Sequence, residues 1–369
     1  MTATVPAPAA RTRYPSIISP WVDTLAIGGL SLVALVPLLL SGRQDLVMIS
    51  AGTQAGIAAL VNMPHFLASY RMVYRTKDMI LRHKWASIWI PLILLLYIAV
   101  AIYQAQYTPA LVSLLLVVSS SYLAWHYTGQ IWGMMATYAH LDGLPFATRE
   151  RHLIRGGLRI LLSWHVIWFL YSSGLASDLG VNLTPLYTFM TWATLLALAL
   201  GAVGMSLMRR RTGHLPPARA IVAWAAIFVW YAAMARDPQA IFWVQIAHAI
   251  QYLIFPFRVE LNITERQDPV RSHVWRHMVL FTVVLLAISW FMAHQLPATA
   301  MTIIADSLGE RPGQYTPMVI LSFLNIHHYF TDGVIWKIRN PEVQRDLFAH
   351  VPRPAAAQAK AASGRAARA

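Results

Sequence analysis

Six histidines of this chain lie inside long apolar stretches, where side chains that could bind a metal ion are uncommon. One of them, His165, lies on a helix that is expected to run in the opposite direction, and we expect it to be structural. The other five are His65, His126, His248 and the adjacent pair His327 and His328. Three of them precede a basic residue by ten positions, with Arg75 after His65, Arg258 after His248 and Lys337 after His327. A helix rises 1.5 Å per residue, so each of these histidines would lie about 15 Å from a common basic boundary. His126 is about as far from the end of its segment near His140. The spacing predicts one layer of histidines across several helices.

Polar neighbours that could orient these histidines or contact a substrate occur in the same segments. They are Asn62, Tyr70, Gln130, Gln245, Gln251, Asn325 and Tyr329. A ligating histidine usually donates its second N–H to such a group, which fixes the ring. Asp332 follows His328 by one helical turn, and it could bind the metal directly or accept that N–H. The residues expected to bind metal are therefore the five histidines and Asp332, and no further catalytic residue is assigned.

The donor set limits the choice of metal. Neutral imidazole is the commonest biological metal ligand. Four or five imidazoles with one carboxylate suit non-haem iron, copper or zinc, and so few oxygen donors disfavour calcium and magnesium. The chain has no cysteine, which excludes thiolate ligands and disulfides. His327 and His328 point about 100° apart on a helix, so both reach one centre only if the helix is distorted or the centre holds two metal ions.

Apolar helices must position these side chains. The chain of 369 residues is 57% hydrophobic and only 12% charged, with a mean hydropathy of +0.50. This composition predicts a polytopic membrane protein, in which each span needs about 20 apolar residues. Ten segments qualify or nearly qualify, at approximately 21–40, 46–70, 86–103, 110–138, 156–173, 184–208, 219–234, 240–257, 274–294 and 316–336. The expected fold class is all-α, a polytopic membrane helix bundle with about ten transmembrane helices.

The basic residues predict the orientation of this bundle. Most of the 29 Lys and Arg residues lie in the terminal segments and the even-numbered connections. Because short cytoplasmic loops hold an excess of basic residues, both termini are predicted to be cytoplasmic. We expect a disordered cytoplasmic arm over residues 1–20, the bundle with its histidine site over 21–337, and a basic, largely disordered cytoplasmic tail over 338–369. The expected location is the bacterial cytoplasmic (inner) membrane.

The net charge of +14 follows from these loops. Cytoplasmic basic residues face anionic lipid headgroups, which attract each of them by about 1 kcal/mol. Membrane lipids are thus expected partners, and nucleic acid is not.

Histidines spread singly over several helices, with a richer final cluster in NIHHYFTDG, resemble the Brp/Blh family of membrane carotenoid-cleaving dioxygenases. In that family histidines bind iron, and β-carotene is cleaved to retinal. The resemblance is one of architecture and ligand style over helices two to ten. It implies that His65, His126, His248 and either His327 or His328 bind iron. Membrane desaturases and hydroxylases carry several HxxxH and HxxHH boxes, whereas this sequence has a single HxxxH spacing, at His273 and His277, and no HxxHH box.

These observations favour a membrane-bound, metal-dependent oxygenase or related oxidoreductase. Non-haem iron is the expected cofactor, with O2 and a hydrophobic lipid or isoprenoid-like molecule as substrates. Two alternatives stay open. A haem-binding redox protein would use histidines as axial ligands, and a transporter would use the polar layer as a translocation path. The substrate, the electron donor and the oligomeric state are not identified by the sequence, nor is the choice among oxygenase, hydroxylase and desaturase.

Overall fold

The protein is a bundle of long helices. A computed structural model describes residues 16–41, 49–336 and 341–351, and this part of the chain contains no strand. The helices are α1 (Pro20–Leu40), α2 (51–73), α3 (Lys77–Arg82), α4 (Trp85–Gln104), α5 (Ala110–Leu141), α6 (Thr148–Ser172), α7 (Leu175–Asp178), α8 (Thr184–Thr212), α9 (Ala218–Arg236), α10 (Pro238–Gln267), α11 (Arg271–Leu308), α12 (Glu310–Ile335) and α13 (Pro341–Asp346).

Eight helices of the described chain are long and apolar enough to cross a membrane. They are α1, α4, α5, α6, α8, α9, α10 and α11. The other two long helices, α2 and α12, contain His65 and the pair His327 and His328, and they are not among these eight. Each of the ten predicted spans coincides with a helix, although residues 46–48 of the second lie outside the described residues. The prediction of an all-α polytopic bundle is confirmed.

Local sequence signals explain several helix ends. Ser19 caps α1 by accepting the Val22 N–H, and Thr76 caps α3 by accepting that of Met79. These side chains satisfy amide groups that have no partner within the helix. Gly213 ends α8 in the left-handed conformation, with a φ of 78° that glycine adopts without strain.

The segment between the ninth and tenth predicted spans differs from the expected connection. α11 continues through a π-helical turn at Phe291–Gln295 as far as Leu308. Gly309, with a φ of 101°, reverses the chain into α12. A Cβ atom at Gly313 would lie 2.8 Å from the Ala305 Cβ, so only glycine allows this close approach of the two helices.

The inner ends of the two terminal segments meet at one end of the bundle. Asp23 is fully buried, and its carboxylate accepts the N–H groups of Ile17 and Ile18. His350 Nε2 lies 2.8 Å from the Ser16 carbonyl oxygen. Residues 16 and 350 are therefore on the same side of the bundle.

Part of the predicted tail is folded. Val343 and Leu347 are buried, and Asn262 of α10 donates to the carbonyl of Leu347. Residues 341–351 of the tail thus pack on the bundle, because their apolar side chains complete a core. Residues 1–15 of the arm, with Lys337 and residues 338–340 and 352–369, lie outside the described residues.

Candidate metal centre

Four helices bring four imidazoles together in the interior of the bundle. The histidines are His65 of α2, His126 of α5, His248 of α10 and His328 of α12. One ligand nitrogen from each lies within 4.8 Å of all the others. Two nitrogens on opposite sides of one ion, each bonded at about 2.1 Å, are about 4.2 Å apart. Small inward movements of the side chains would therefore let all four bind a single ion.

The four rings form a closed square with their edges turned toward one another. Neighbouring ring centroids are separated by 4.5 Å for His65 and His328, 4.9 Å for His328 and His126, 4.7 Å for His126 and His248, and 5.3 Å for His248 and His65. The planes of each pair meet at 74° to 87°. One nitrogen of each ring lies close to those of the other three.

Nitrogen atoms in this square are buried without hydrogen-bond partners. They are Nε2 of His65, His126 and His328 and both ring nitrogens of His248. A buried polar group without a partner costs about 1–3 kcal/mol. Several such atoms at one point are explained if they share one metal ion, so the arrangement fits the group that the sequence predicts.

The orientation of His65 is set by its own helix. Its Nδ1 lies 2.5 Å from the carbonyl oxygen of Asn62, which leaves Nε2 available to bind a metal ion. Residues Ala58–Asn62 form a π-helical turn immediately before the histidine. Pro64 follows this turn and has no N–H to bond within the helix. We expected the Asn62 side chain to be the partner of His65, but the partner is the Asn62 backbone carbonyl.

His328 is held by a hydroxyl group from α2. Its Nδ1 lies 2.8 Å from Ser69 Oγ, and Ser69 Oγ lies 2.7 Å from Asp332 Oδ1. Tyr252 of α10 also donates to Asp332 Oδ1, at 2.9 Å, and accepts the indole N–H of Trp336, at 2.8 Å. Three helices therefore position one carboxylate.

The protons of this network can be assigned from its donors. Trp336 Nε1–H can only donate, so the Tyr252 oxygen accepts. If His328 binds metal through Nε2, its Nδ1 carries a proton, and Ser69 accepts it. The Ser69 and Tyr252 hydroxyl protons are then both available to Asp332 Oδ1. Two donors on one oxygen stabilise the ionised carboxylate.

The second oxygen of Asp332 faces the imidazole square. Oδ2 lies 3.4 Å from His328 Nε2 and 3.7 Å from His126 Nε2. Both separations are too long for good hydrogen bonds. They place the carboxylate within reach of an ion bound by the same nitrogens, as a fifth ligand or as a neighbouring charge.

His126 and His248 are supported by stacking and by an amide chain. The Tyr329 ring stacks on His126, with centroids 4.5 Å apart, and its hydroxyl is buried without a partner. Gln130 Nε2 donates to the His248 carbonyl oxygen and to Gln251 Oε1, both at 3.1 Å. Gln251 in turn donates to a carbonyl of α1. These contacts link α5, α10 and α1 behind the square.

The structure places His327 outside the square. Its Nε2 lies 3.0 Å from the Ala86 carbonyl oxygen and 3.2 Å from the Tyr74 hydroxyl. Tyr70 stacks on its ring at 4.7 Å. His327 had been predicted as a metal ligand together with His328, but the undistorted helix α12 turns the two side chains in different directions.

The other predicted neighbours lie apart from the four imidazoles of the square. Tyr70 donates to the Leu324 carbonyl, and Asn325 and Gln245 are half-buried outside the hydrogen-bonded network. His165, predicted as structural, lies 3.1 Å from the Tyr231 hydroxyl in the core.

Two residues beside the square were missed as hydrogen-bonding partners, Ser69 and Tyr252. A simple signal could have found both. Ser69 follows His65 by four residues, and Tyr252 follows His248 by four, just as Gln130 follows His126 and Asp332 follows His328. Residues four apart share one face of a helix, so each of the four histidines has a polar neighbour one turn later.

Comparison with known proteins adds no relative: no family model, no curated protein and no solved structure matches this chain.

Proposed function

We propose that this protein is an integral-membrane, metal-dependent oxidoreductase, specifically a non-haem iron oxygenase that acts on a hydrophobic lipid or isoprenoid-like substrate. One observation carries the proposal. Unpartnered nitrogens of four imidazoles converge beside the free oxygen of Asp332 inside a helical bundle.

The number and type of donors favour iron. A structural zinc site is usually tetrahedral and closed by four ligands. Here a carboxylate oxygen lies next to the four imidazoles, which suits a fifth position. An ion that accepts six ligands would keep a position for O2, as non-haem iron does in oxygenases. Copper and zinc are distinguished from iron by direct metal analysis.

The geometry favours a bare ion over haem. A porphyrin supplies four nitrogens of its own and needs only axial ligands from the protein. In this site protein nitrogens converge from four helices, and neighbouring ring centroids are only 4.5 to 5.3 Å apart. That spacing holds one ion and leaves no room for a macrocycle among the rings.

The residues of the chain have separable tasks in this proposal. The imidazoles bind the ion, which when bound supplies the site for O2 chemistry. Ser69 and Tyr252 hold the Asp332 carboxylate and can pass a proton along the hydroxyl chain. The surrounding apolar helices exclude bulk water and admit hydrophobic substrates from the membrane.

Metal analysis with an optical spectrum tests the centre itself. The purified protein, prepared without chelators, is expected to hold about one iron per chain and to show no Soret band. His65→Ala, His126→Ala, His248→Ala and His328→Ala should each remove most of it. His165→Ala is the matched control, since it removes a buried imidazole outside the square. Equal metal content in all these variants would overturn the metal centre.

A separate assay tests the oxygenase assignment. Iron-loaded protein in lipid vesicles is supplied with isoprenoid substrates, β-carotene among them, and with isotopically labelled O2. Label should enter the product with the wild type and not with His328→Ala. If iron is bound but no substrate incorporates label, the oxygenase assignment fails while the metal centre stands.

A further inference from the structure

A second concave site lies at the end of the bundle near the basic loops. It is an open cavity of about 400 Å³ lined by the ends of α2, α10 and α12 together with α3 and α13. Its inner wall is apolar and includes Met72, Val259, Ile263 and Trp336. Small-molecule sites commonly have this size and an apolar lining with a few polar groups.

Three guanidinium groups line the same cavity, from Arg75, Arg266 and Arg345. Arg266 and Arg345 share one carboxylate, since both lie within 2.8 Å of Asp346 Oδ1. The Asp78 carboxylate also lines the cavity and is paired with Arg82. Positive charge therefore exceeds negative charge in the lining.

Arg75 is the group that needs an anion. Among the described residues it has neither a hydrogen bond nor an ion pair, although its side chain is half-buried. Burial lowers the pKa of its guanidinium, with Glu260 opposing this effect. Taking a cation out of water is costly unless an anion compensates for the lost solvation.

We propose that this cavity binds an anionic amphiphile, with its phosphate or carboxylate group on Arg75 and its apolar part against Trp336 and the neighbouring aliphatic side chains. The planar guanidinium matches phosphate and carboxylate oxygens with two parallel hydrogen bonds. The site would take its ligand at the level of the lipid headgroups, where the basic loops lie under the predicted orientation.

The cavity adjoins the imidazole square through one side chain. Trp336 forms part of the cavity wall and donates its indole N–H to Tyr252, which donates to Asp332. A ligand that moves the indole thus acts on the carboxylate beside the four histidines. Binding to the cavity does not depend on the identity of the metal, so it can be tested by itself.

The test uses the full-length protein in a neutral maltoside detergent, with dodecyl phosphate as the probe. Isothermal titration calorimetry should give saturable binding of about one probe per chain. Arg75→Gln should weaken it at least tenfold, and Arg210→Gln, which removes an exposed charge at the end of α8, should not. Unchanged affinity in Arg75→Gln, or equal losses in both variants, would overturn the proposal. If Arg75→Gln does not fold, Arg75→Lys keeps the charge without the planar fork and should still weaken binding.

Two further arms identify the source of the anion. Glycerol 3-phosphate that displaces the probe at similar concentration indicates a soluble organic phosphate. In the opposite outcome, glycerol 3-phosphate fails to compete, while the probe is displaced in nanodiscs that contain phosphatidylglycerol and not in nanodiscs of pure phosphatidylcholine. That result indicates a lipid headgroup. No displacement by any anion would contradict the assignment.

Discussion

At the scale of single residues, Asp332 has two oxygens in different surroundings. Oδ1 accepts the hydroxyl protons of Ser69 and Tyr252, and Oδ2 faces His126 and His328. A buried carboxylate is tolerable only when it is paired. The hydroxyls stabilise one side, and a metal cation would stabilise the other.

Asp332→Asn should keep the protein folded and inserted but lower its metal affinity. The amide retains an oxygen for Ser69 and Tyr252, while it removes the negative charge beside the ion. The loss should be about 10 to 100-fold, as for other groups that support metal ligands, or more if Oδ2 binds the ion. Asp306→Asn, at an exposed position of α11, is the control. Competition with a calibrated chelator measures both, and equal affinities would refute the role of Asp332.

Sequence reasoning reached the imidazoles but not all of their partners. His65, His126, His248 and His328 were recognisable because a titratable side chain is costly in an apolar helix. Ser69 was not recognisable, because a serine in an apolar helix can satisfy its hydroxyl by a hydrogen bond to the backbone of the same helix. Its contact with His328 exists only because α2 and α12 pack side by side.

At the scale of the helix, the adjacent residues His327 and His328 lie on two different faces of α12. His328 points into the square, and His327 points to the Ala86 carbonyl at the start of α4. The sequence could not choose between them, because the rotation of a helix about its axis is decided by its neighbours.

Alanine variants of His327 and His328 provide a matched comparison, because the two histidines are adjacent on α12. His328→Ala should remove most of the bound metal. His327→Ala should keep it and lower the free energy of unfolding by about 1–3 kcal/mol, because its hydrogen bond to the main chain is lost in the interior. Metal content and chemical denaturation of the two variants measure these effects. Loss of metal in His327→Ala alone would reverse the assignment.

The helices themselves were predictable because hydropathy reports their length directly. Irregular turns were not. The π-helical turns at Ala58–Asn62 and Phe291–Gln295 add a residue to their helices without changing the apolar pattern. The first of them sets the position of the carbonyl that orients His65. The second carries α11 beyond the predicted end of its span.

At the scale of the whole molecule, the contact between Ser16 and His350 relates the two terminal segments. It places their inner ends on one side of the bundle, which requires an even number of crossings. The excess of basic residues predicts that this side is cytoplasmic.

Reporter fusions test this orientation. Fusions after Gly213 and after Gln267 should report a cytoplasmic location, and a fusion within residues 175–183 should report the opposite side. Each site lies between two long helices, so the reporter does not interrupt a span. The reverse pattern would contradict the common depth predicted for the histidines.

Removal of the metal should destabilise the bundle. An ion that binds only the folded protein adds about 2.7 kcal/mol at a free concentration 100 times its Kd. Chelation should therefore lower the thermal midpoint of the wild type, and restored iron should raise it again. His248→Ala, with one ligand fewer, should respond much less to either treatment. An identical response of the two proteins would mean that the ion acts elsewhere.

The four imidazoles also constrain when, during synthesis of the protein, the proposed metal ion could bind. His65, His126 and His248 enter the membrane with α2, α5 and α10, but His328 follows only with α12. A nascent chain that ends before α12 also lacks Asp332, so its unfinished site has three nitrogens and no carboxylate. Under the proposed function, the site is complete only after insertion of the bundle, so iron would have to be delivered to a membrane-embedded protein and not to the growing chain.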